Sequence, residues 1–341
     1  MKPTDFARHL TDFLGRYLPS ECGYSANTVK TYSYTFTLFI EYMEKEELVR
    51  PENLTLGEIT KERIIHFLAW LQKERKCSTS TRNARLGAMH SFFAYLQYRN
   101  VEGLAKWQDI LSIKCKKSSV PEMAYLQIEA LKLLLRQPDL KTSKGRRDFV
   151  LLGLLYDSGC RVQELLDLTP SDLRFDETSS VRLHGKGDKV RIVPLSATQV
   201  ANLKQYMEEK HLYRPENQCH PLFPNPQGGK MSRMAVLNIV KKYIVMAKAV
   251  SPELFPDNIG CHSFRHSKAM HMLEADINIV YIRDFLGHSS TTTTEVYARA
   301  SERMKQKALS KLNPRIVQEG KTSWQDNKDL LGYLKSLQTK Y

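Results

Sequence analysis

The spacing of apolar residues changes its period once along the chain, and this change limits what the chain can fold into. Over Thr4–Ile110 apolar side chains recur every three or four residues, which is the period of an amphipathic helix. Clear examples are Tyr32–Met43 and Leu86–Leu96. The pattern predicts an all-helical first half of four or five helices.

Two of the predicted helix starts combine capping residues with cations. Ser25 or Asn27 precedes one helix, and Ser78–Thr81 precedes the helix that carries Arg82 and Arg85. Backbone amides and cations at such a start suit the binding of phosphates. Ordinary capping on a solvated face explains the same residues equally well.

The helical period stops between Leu111 and Glu122. This stretch ends just after Pro121 and contains Lys114, Lys116 and Lys117, and it lacks amphipathic spacing. With 341 residues, the chain is longer than one average core, which favours two domains and a linker. The predicted parts are a helical domain at 1–110, a basic linker at 111–122, a second domain at 123–313 and a tail at 314–341.

Composition favours a polyanionic partner. The chain has 51 lysines and arginines against 37 acidic residues, a formal net charge of +14. Nucleic acid is the commonest such partner, with a merely basic protein as the alternative. The six cysteines form no CxxC pair, and no apolar run approaches the roughly twenty residues of a membrane span. We therefore expect reduced thiols, a cytoplasmic location and no membrane contact.

The second half mixes helices with a small sheet. Two β-rich runs, Val181–His184 and Lys189–Val193, flank the turn Gly185–Asp188, which predicts a hairpin that presents Lys186. Helices are predicted at about 125–136, 149–158, 234–246, 263–274, 279–286 and 301–312. A last amphipathic helix, about Asp326–Leu337, follows Pro314 and is predicted to pack on a neighbouring subunit.

Four short segments of this half carry reactive side chains. They are Gly159-Cys160-Arg161-Val162-Gln163-Glu164, Gly185-Lys186-Gly187, His262-Ser263-Phe264-Arg265-His266, and Leu286-Gly287-His288 followed nine residues later by Tyr297. Each segment alone is a weak signal, because surface arginines, tight glycine turns and core tyrosines are common. Their joint occurrence in this order is strong.

In this order the segments resemble the tyrosine recombinase, or phage integrase, family, in the simple two-domain form of Xer-like and mobile-element integrases. The resemblance covers nearly the whole chain. It implies a fold that is mainly α with a small β-sheet. The first half is then an all-helical SAM-like core-binding domain, and the second half a mixed α/β catalytic domain.

The resemblance also implies a role for each of six residues. They are the nucleophile Tyr297, the phosphate-binding Arg161 and Arg265, the further phosphate donor His288, the general base His262 and the general acid Lys186. Arginine suits phosphate because its planar fork donates two hydrogen bonds and stays charged. Ionising a free tyrosine at neutral pH costs about 4 kcal/mol, so the nucleophile needs such neighbours. Glu164 is expected to orient Arg161, and no metal or cofactor is expected.

The implied partner is double-stranded DNA with inverted-repeat core sites. A homotetramer on two duplexes would exchange strands through a 3′-phosphotyrosyl intermediate and a Holliday junction, with possible accessory DNA-bending proteins, in a prokaryotic nucleoid. Integration or excision of a mobile element is the preferred role. The alternatives are an Xer-like dimer resolvase, a type IB topoisomerase and a catalytically silent DNA-binding regulator.

Two other interpretations concern individual residues. His262 and His266, four apart and next to Cys261, suggest a zinc site, but the second position of an HExxH motif would be Glu rather than Ser263. Rival nucleophiles are the tyrosines of apolar periodic stretches, for which we expect core positions: Tyr156, Tyr243 and Tyr281. The polar residues ahead of Tyr297 predict an exposed position for it.

Overall fold

A computed structural model describes the chain at residues 2–118, 123–185, 189–288, 297 and 330–338. The chain divides into two compact units, Met1–Pro121 and Glu122–Tyr341. Both are mostly helical, and the second contains a three-stranded sheet, which confirms the predicted fold class. All six cysteines are free. No helix in the described ranges is long and apolar enough to cross a membrane.

Five α-helices build the described part of the first unit, as the periodicity predicts. They are α1 (Asp5–Asp12), α2 (Ala26–Lys45), α3 (Lys61–Lys73), α4 (Thr79–Arg99) and α5 (Leu104–Leu111), with a π-helical segment, Phe13–Glu21, after α1. Two predicted caps are present. The Ser25 hydroxyl accepts from the amide of Thr28 at the start of α2, and the Ser78 hydroxyl accepts from the amide of Thr81 in α4.

Aromatic side chains hold these helices together. Phe13, Phe36 and Phe92 are fully buried or nearly so. Their rings meet edge to face, with centroids 5.1 to 6.2 Å apart. Because each such pair adds about 1 kcal/mol beyond the buried area, the three rings fix the π-helical segment against α2 and α4.

The described start of the predicted linker lies along the first unit. Ile113 is buried in the core of this unit. The side-chain amide of Asn83 donates to the carbonyl of Lys116 at 2.8 Å, and the amide of Lys116 donates back to Asn83 Oδ1 at 3.1 Å. Nζ of Lys116 also donates to Gln72 Oε1 at 2.6 Å. Residues 113–116 are therefore held by α3 and α4, while the domain boundaries remain a prediction.

The second unit places helices around a small sheet. Its described elements are α6 (Ile128–Leu135), α7 (Ser143–Asp157), α8 (Val162–Asp167), β1 (Leu173–Arg174), β2 (Ser180–His184), β3 (Val190–Pro194), α9 (Ala197–Glu209), α10 (Arg233–Val250), α11 (Cys261–Glu274), α12 (Ile279–Leu286) and α13 (Leu330–Gln338). The core gathers Leu151 and Leu155 of α7 with Val181, Leu183 and Val193 of the sheet.

The sheet is antiparallel in the order β1-β2-β3. Val181 pairs with Val193 and His184 with Val190, which confirms the predicted hairpin. The amide of Gly185 donates to the carbonyl of Lys189 at 2.8 Å and closes the base of the turn. The turn residues 186–188, with the predicted Lys186, lie outside the described residues.

The structure also contains helices that periodicity did not reveal. We assigned no helix to α8 or α9, and the predicted helix at 149–158 begins at Ser143. The first turns of α7 carry polar side chains such as Lys144 and Arg147, which hide the apolar period, although Thr142 caps the helix. The predicted helix at 301–312 lies outside the described residues. The tail helix is described at Leu330–Gln338.

Candidate active site

Helix α11 carries three polar side chains on one face. His262, Arg265 and His266 are three and four residues apart, so the helical period places them side by side. The imidazole rings of His262 and His266 have centroids 6.5 Å apart. His262 is exposed, His266 is half-buried and Arg265 is buried, so this face runs from the surface into the interior.

Arg265 is held by the ends of two other helices. Its Nη1 donates to the carbonyl of Gly159, in the turn between α7 and α8, at 2.8 Å. Its Nη2 donates to the carbonyl of Leu286, the last residue of α12, at 2.5 Å. Burial, together with the charges of Arg161 and Arg191, lowers the pKa of Arg265 to about 10. The side chain is therefore still a cation at neutral pH.

Arg161 stands at the start of α8, where Glu164 holds both its backbone and its side chain. Its amide donates to Glu164 Oε2 at 2.8 Å, and its Nη1 donates to Glu164 Oε1 at 2.9 Å. Glu164 is 3% exposed, whereas the side chain of Arg161 is 35% exposed. Glu164 therefore orients Arg161, as predicted, and leaves part of its guanidinium open to a ligand.

A third arginine, which the sequence analysis missed, completes this network. Nη1 and Nη2 of Arg191 in β3 donate to the two carboxylate oxygens of Glu164 at 2.8 and 2.7 Å, and its Nε donates to the carbonyl of Phe285 at 3.1 Å. Strand alternation was the available signal, because it places Arg191 on the same face as the buried Val193.

Ionisation of Glu164 is decided by these contacts. Burial disfavours the carboxylate, but its hydrogen bonds from Arg191 and from the backbone and side chain of Arg161 outweigh that cost. The pKa of Glu164 is consequently lowered.

The turn after α12 requires glycine. Gly287 has a φ of +66°, in the left-handed region, and the following amide, that of His288, donates to the carbonyl of Arg283 at 3.1 Å. A Cβ atom at Gly287 would lie 2.9 Å from Cδ of Arg191. This close approach lets one turn position His288 beside the arginine network.

Tyr297 is buried against α11 and α12. Its side chain is 2% exposed and packs in the cluster formed by Ala269, Met270, Leu273, Ile282 and Leu286. The predicted exposed position is therefore wrong: the apolar faces of the two helices cover the ring. The polar residues 289–295, on which that expectation rested, lie outside the described residues.

Two histidines border the tyrosine. The hydroxyl oxygen of Tyr297 lies 3.0 Å from Nδ1 of His266. The ring of His288 is parallel to that of Tyr297, with an interplanar angle of 4° and centroids 6.3 Å apart. Burial raises the pKa of Tyr297, while the positive charges of Arg265 and Arg161 oppose that rise.

All three histidines of the site are weak bases here. Burial, with His262 and Arg265, lowers the pKa of His266 to about 4. Burial, with Arg265 and Arg161, lowers the pKa of His288 to about 4. Partial loss of solvent around the ring, with the same two arginines, also lowers the pKa of His262, although this side chain still reaches the surface. At neutral pH these imidazoles are therefore neutral. No three potential metal ligands gather within the described ranges, so the zinc interpretation gains no support.

The structure brings five of the six candidate residues into one region: Arg161, His262, Arg265, His288 and Tyr297. The sixth, Lys186, lies outside the described residues. The contact of His266 with Tyr297 was missed, although its position four residues after His262 places it on the same helix face. The arrangement surrounds a phenol with guanidinium and imidazole groups, which suits reaction at a phosphate ester.

The rival tyrosines occupy other surroundings. The hydroxyl of Tyr243, which is 2% exposed, donates to Asp148 Oδ2 at 2.9 Å. The hydroxyl of Tyr156 lies 3.0 Å from Nδ1 of His271. Tyr281 is 73% exposed, so its predicted core position is wrong. The apolar face of α12 is formed by Ile282 and Leu286 instead.

Models of two families match the chain. The model described as "Phage integrase family" matches residues 125–304. The model described as "Phage integrase, N-terminal SAM-like domain" matches residues 10–100. The first match includes all the residues of the candidate site, and the second falls within the first unit.

Similar proteins span the same length. A putative integrase/recombinase, y4rC, of Sinorhizobium fredii is 32% identical over 98% of this chain and 99% of its own length. The tyrosine recombinase XerD of Listeria innocua is 30% identical over 90% of this chain and 98% of its own.

Solved structures share the fold. XerH site-specific recombinase, in a post-cleavage complex with difH substrate, superposes with a TM-score of 0.67 at 24% identity, covering 83% of this chain and 79% of that one. The integrase of transposon Tn1549, in complex with transposon right end DNA, gives a TM-score of 0.68 at 15% identity, covering 89% and 99%.

Proposed function

The chain belongs to the phage integrase family of tyrosine recombinases, enzymes of site-specific DNA recombination, and we propose that Tyr297 is the residue that cuts the DNA strand. The observation that supports this proposal most is the gathering of Tyr297, Arg161, Arg265 and His288 in one region. The substrate is then a phosphodiester of double-stranded DNA, which suits the net charge of +14.

Arg161 and Arg265 bind the phosphate to be cut. Their guanidinium groups neutralise its non-bridging oxygens, where negative charge grows in the transition state. The network of Glu164 and Arg191 fixes Arg161, and two backbone carbonyls fix Arg265, so little reorganisation is needed when the phosphate arrives. His288 adds a neutral donor to the same group.

The cut exchanges one phosphate ester for another. The bond between Tyr297 Oη and phosphorus forms while the bond from phosphorus to the 5′-oxygen breaks, leaving a 3′-phosphotyrosyl link. The 5′-oxygen takes a proton from Lys186, the general acid that the resemblance implies. Attack by a 5′-hydroxyl of another strand reverses the exchange and rejoins the DNA, so no ATP is consumed.

The resemblance assigns the general base to His262. This side chain is exposed at the start of α11, and its lowered pKa keeps it neutral and able to accept a proton at neutral pH. The assignment stays a proposal, since the described hydroxyl of Tyr297 contacts His266 instead.

The biological role that we propose is integration or excision of a mobile element. A relative of almost the same length carries the name integrase/recombinase, and a transposon integrase has the same fold. Four copies would bring two duplexes together at inverted-repeat core sites, with helix α13 (Leu330–Gln338) packing on the next copy and accessory proteins bending the DNA. Exchange would pass through a Holliday junction.

Resolution of chromosome dimers is the second candidate. It is favoured by relatives named XerD that are 30% identical over 90% of this chain. The two roles differ in whether the preferred DNA site lies at the ends of an element or at one chromosomal locus. Sequencing the sites occupied in cells therefore separates them.

A trapping experiment tests the proposed nucleophile. Duplexes with randomised inverted repeats are first selected for binding, then nicked next to the expected cut so that the 5′-hydroxyl fragment is lost. We expect a covalent protein–DNA adduct with the wild-type chain and with Tyr281→Phe, a matched change at an exposed tyrosine. Tyr297→Phe should form none. An adduct that survives Tyr297→Phe would refute the proposal.

A plasmid assay with the same protein distinguishes a recombinase from a topoisomerase or a silent regulator. On a supercoiled plasmid with two selected sites, a recombinase yields recombinant circles and trapped Holliday junctions. A topoisomerase yields only relaxed circles, and a silent regulator yields neither product nor adduct.

A further inference from the structure

We propose that His266 is a catalytic residue of this site, whose Nδ1 takes the proton from Tyr297 as the DNA is cut and returns it as the DNA is rejoined. This inference rests on the proposed role of Tyr297 as the nucleophile. It concerns a histidine that neither the sequence motifs nor the family resemblance assigned.

The geometry is direct. The Tyr297 hydroxyl oxygen and Nδ1 of His266 are 3.0 Å apart, within hydrogen-bond distance, and the two rings have centroids 5.7 Å apart. With its proton on Nε2, the neutral imidazole accepts the hydrogen bond that the hydroxyl donates. Among the described residues, the side-chain hydrogen bond to the nucleophile's oxygen is the one with His266.

His262 is placed less well for the same task. It is exposed at the first turn of α11, and its ring centroid lies 6.5 Å from that of His266. The base must be within reach of the proton that it removes. His266 meets this requirement in the described structure, because its Nδ1 lies 3.0 Å from the hydroxyl oxygen of Tyr297.

The surroundings of His266 keep its imidazole neutral before DNA binds. It is half-buried, and burial together with His262 and Arg265 lowers its pKa to about 4, so the imidazole is neutral at neutral pH and one of its two ring nitrogens is free to accept a hydrogen bond. The other ionisable groups around it are Tyr297 and His288. A DNA phosphate bound by Arg161 and Arg265 adds negative charge here, which favours the imidazolium as the phenolate forms.

The proton balance closes over both halves of the reaction. During cutting, the Tyr297 proton moves to Nδ1 of His266, the Oη–phosphorus bond forms and the 5′-oxygen leaves with a proton from Lys186. During rejoining, a 5′-hydroxyl gives its proton to the now neutral Lys186. Tyr297 then leaves phosphorus as a phenolate and recovers its proton from the His266 imidazolium, so both groups return to their starting states.

A matched pair of variants isolates this role. His266→Asn keeps a polar atom near the position of Nδ1 but cannot take up a proton. His271→Asn is the control, because His271 lies on the same helix as His266 but its Nδ1 is 3.0 Å from the hydroxyl of Tyr156 on α7 rather than from Tyr297. On the nicked substrate we expect His266→Asn to form adduct about a hundredfold or more slowly and to bind DNA as well as the wild type. His271→Asn should react at the wild-type rate.

Two further substrates separate proton removal from mere positioning. A DNA whose 5′-bridging oxygen is replaced by sulfur needs no general acid, so it should rescue Lys186→Ala but not His266→Asn. A ring-fluorinated tyrosine at position 297, whose phenol ionises more easily, should restore most of the rate to His266→Asn. If His266 only holds the ring of Tyr297 in place, fluorination should leave the adduct rate of His266→Asn low.

Each outcome bears on one claim. The inference would be overturned if His266→Asn formed adduct as fast as the wild type. It would also be overturned if His266→Asn were faster, because the contact would then only restrain Tyr297. Both results would leave the proposed nucleophile intact. A slow His266→Asn that fluorotyrosine leaves slow would overturn it as well. If the wild-type chain forms no adduct on selected DNA, the proposed function itself fails.

Discussion

At the scale of single residues, the site depends on one buried carboxylate among several cations. Glu164 accepts hydrogen bonds from Arg161 and from both ends of the Arg191 guanidinium. The charges of both arginines lower the pKa of Arg265, and the charge of this carboxylate raises it. Glu164 therefore offsets repulsion that would otherwise push the phosphate-binding arginines apart.

Replacement of this carboxylate should show its effect on stability and on chemistry. We expect Glu164→Gln to lower the free energy of unfolding by about 3 kcal/mol at neutral pH, because two partly buried guanidinium groups lose their counter-charge. In the folded chain the pKa of Glu164 lies below its ordinary value of 4.5. The carboxylate therefore contributes its full stabilisation of the fold above about pH 4.5, and this contribution declines as the pH falls through the lowered pKa. The gap between variant and wild type should narrow accordingly in urea titrations below that pH.

Glu209→Gln is the control for this experiment. Glu209 is also paired with an arginine, Arg146, which lowers the pKa of Glu209 to about 2, but the pair lies outside the site. Both variants should change how stability depends on pH, and Glu164→Gln alone should slow adduct formation. Equal cleavage by the two variants would mean that Glu164 is not needed to position Arg161.

The sequence predicted individual site residues better than it predicted their contacts. The spacing of His262 and Arg265 on one helix face and the proximity of Glu164 to Arg161 are local properties, fixed by the helical period. The bonds of Arg191 to Glu164 and of Tyr297 to His266 join residues 27 and 31 positions apart. Such contacts depend on how the elements pack, which a single sequence does not state.

At the scale of elements, the end of α12 connects the arginine network with His288. The carbonyl of Phe285 accepts from Arg191, the carbonyl of Leu286 accepts from Arg265, and Gly287 then turns the chain in the left-handed conformation. The carbonyl groups that are unpaired at any helix end are thus used to hold two arginines.

Gly287→Ala tests this use of a helix end. A left-handed φ costs alanine about 1–2 kcal/mol, and its Cβ would also press on Cδ of Arg191 at 2.9 Å. We expect a loss of stability by calorimetry and, because a shift near 1 Å matters at a reacting centre, an adduct rate lower by about a hundredfold. In Gly228→Ala the φ of +81° gives similar strain with no atom within 4 Å, so this control should lose stability without losing rate.

Periodicity predicted the helices and strands that have one apolar face. It failed for helices whose formation depends on packing or on a capping residue. The hairpin and helices α10 to α12 were predicted within a few residues, since alternation and the helical period are visible there. Helix α9 was missed although Ser196 caps it, because its exposed face and the mixed residues around it mask the buried Val200 and Leu203. The short α8 depends on its Glu164 cap.

At the scale of the whole molecule, positive charge is the property that both units bring to DNA. A basic protein gains affinity by releasing the counterions of the phosphates that it contacts, and the salt dependence of binding counts those contacts. In the described start of the predicted linker, Lys114 and Lys117 are exposed to solvent, and Nζ of Lys116 donates a hydrogen bond to Gln72 Oε1. If this stretch follows a DNA backbone, its lysines contribute to that count.

Neutralising Lys114, Lys116 and Lys117 to glutamine should therefore weaken DNA binding and make the plot of log affinity against log salt shallower by about 2 to 3 units, near 0.9 for each lost contact. The matched control changes three cations of the second unit, Lys132, Lys204 and Lys248, to glutamine and gives the same net charge. Fluorescence anisotropy across a salt series measures both slopes. If the control flattens the slope as much, the effect is one of total charge, whereas an unchanged slope in the linker variant means that these lysines do not touch phosphate. A shallower slope in the linker variant alone would place the segment on the duplex.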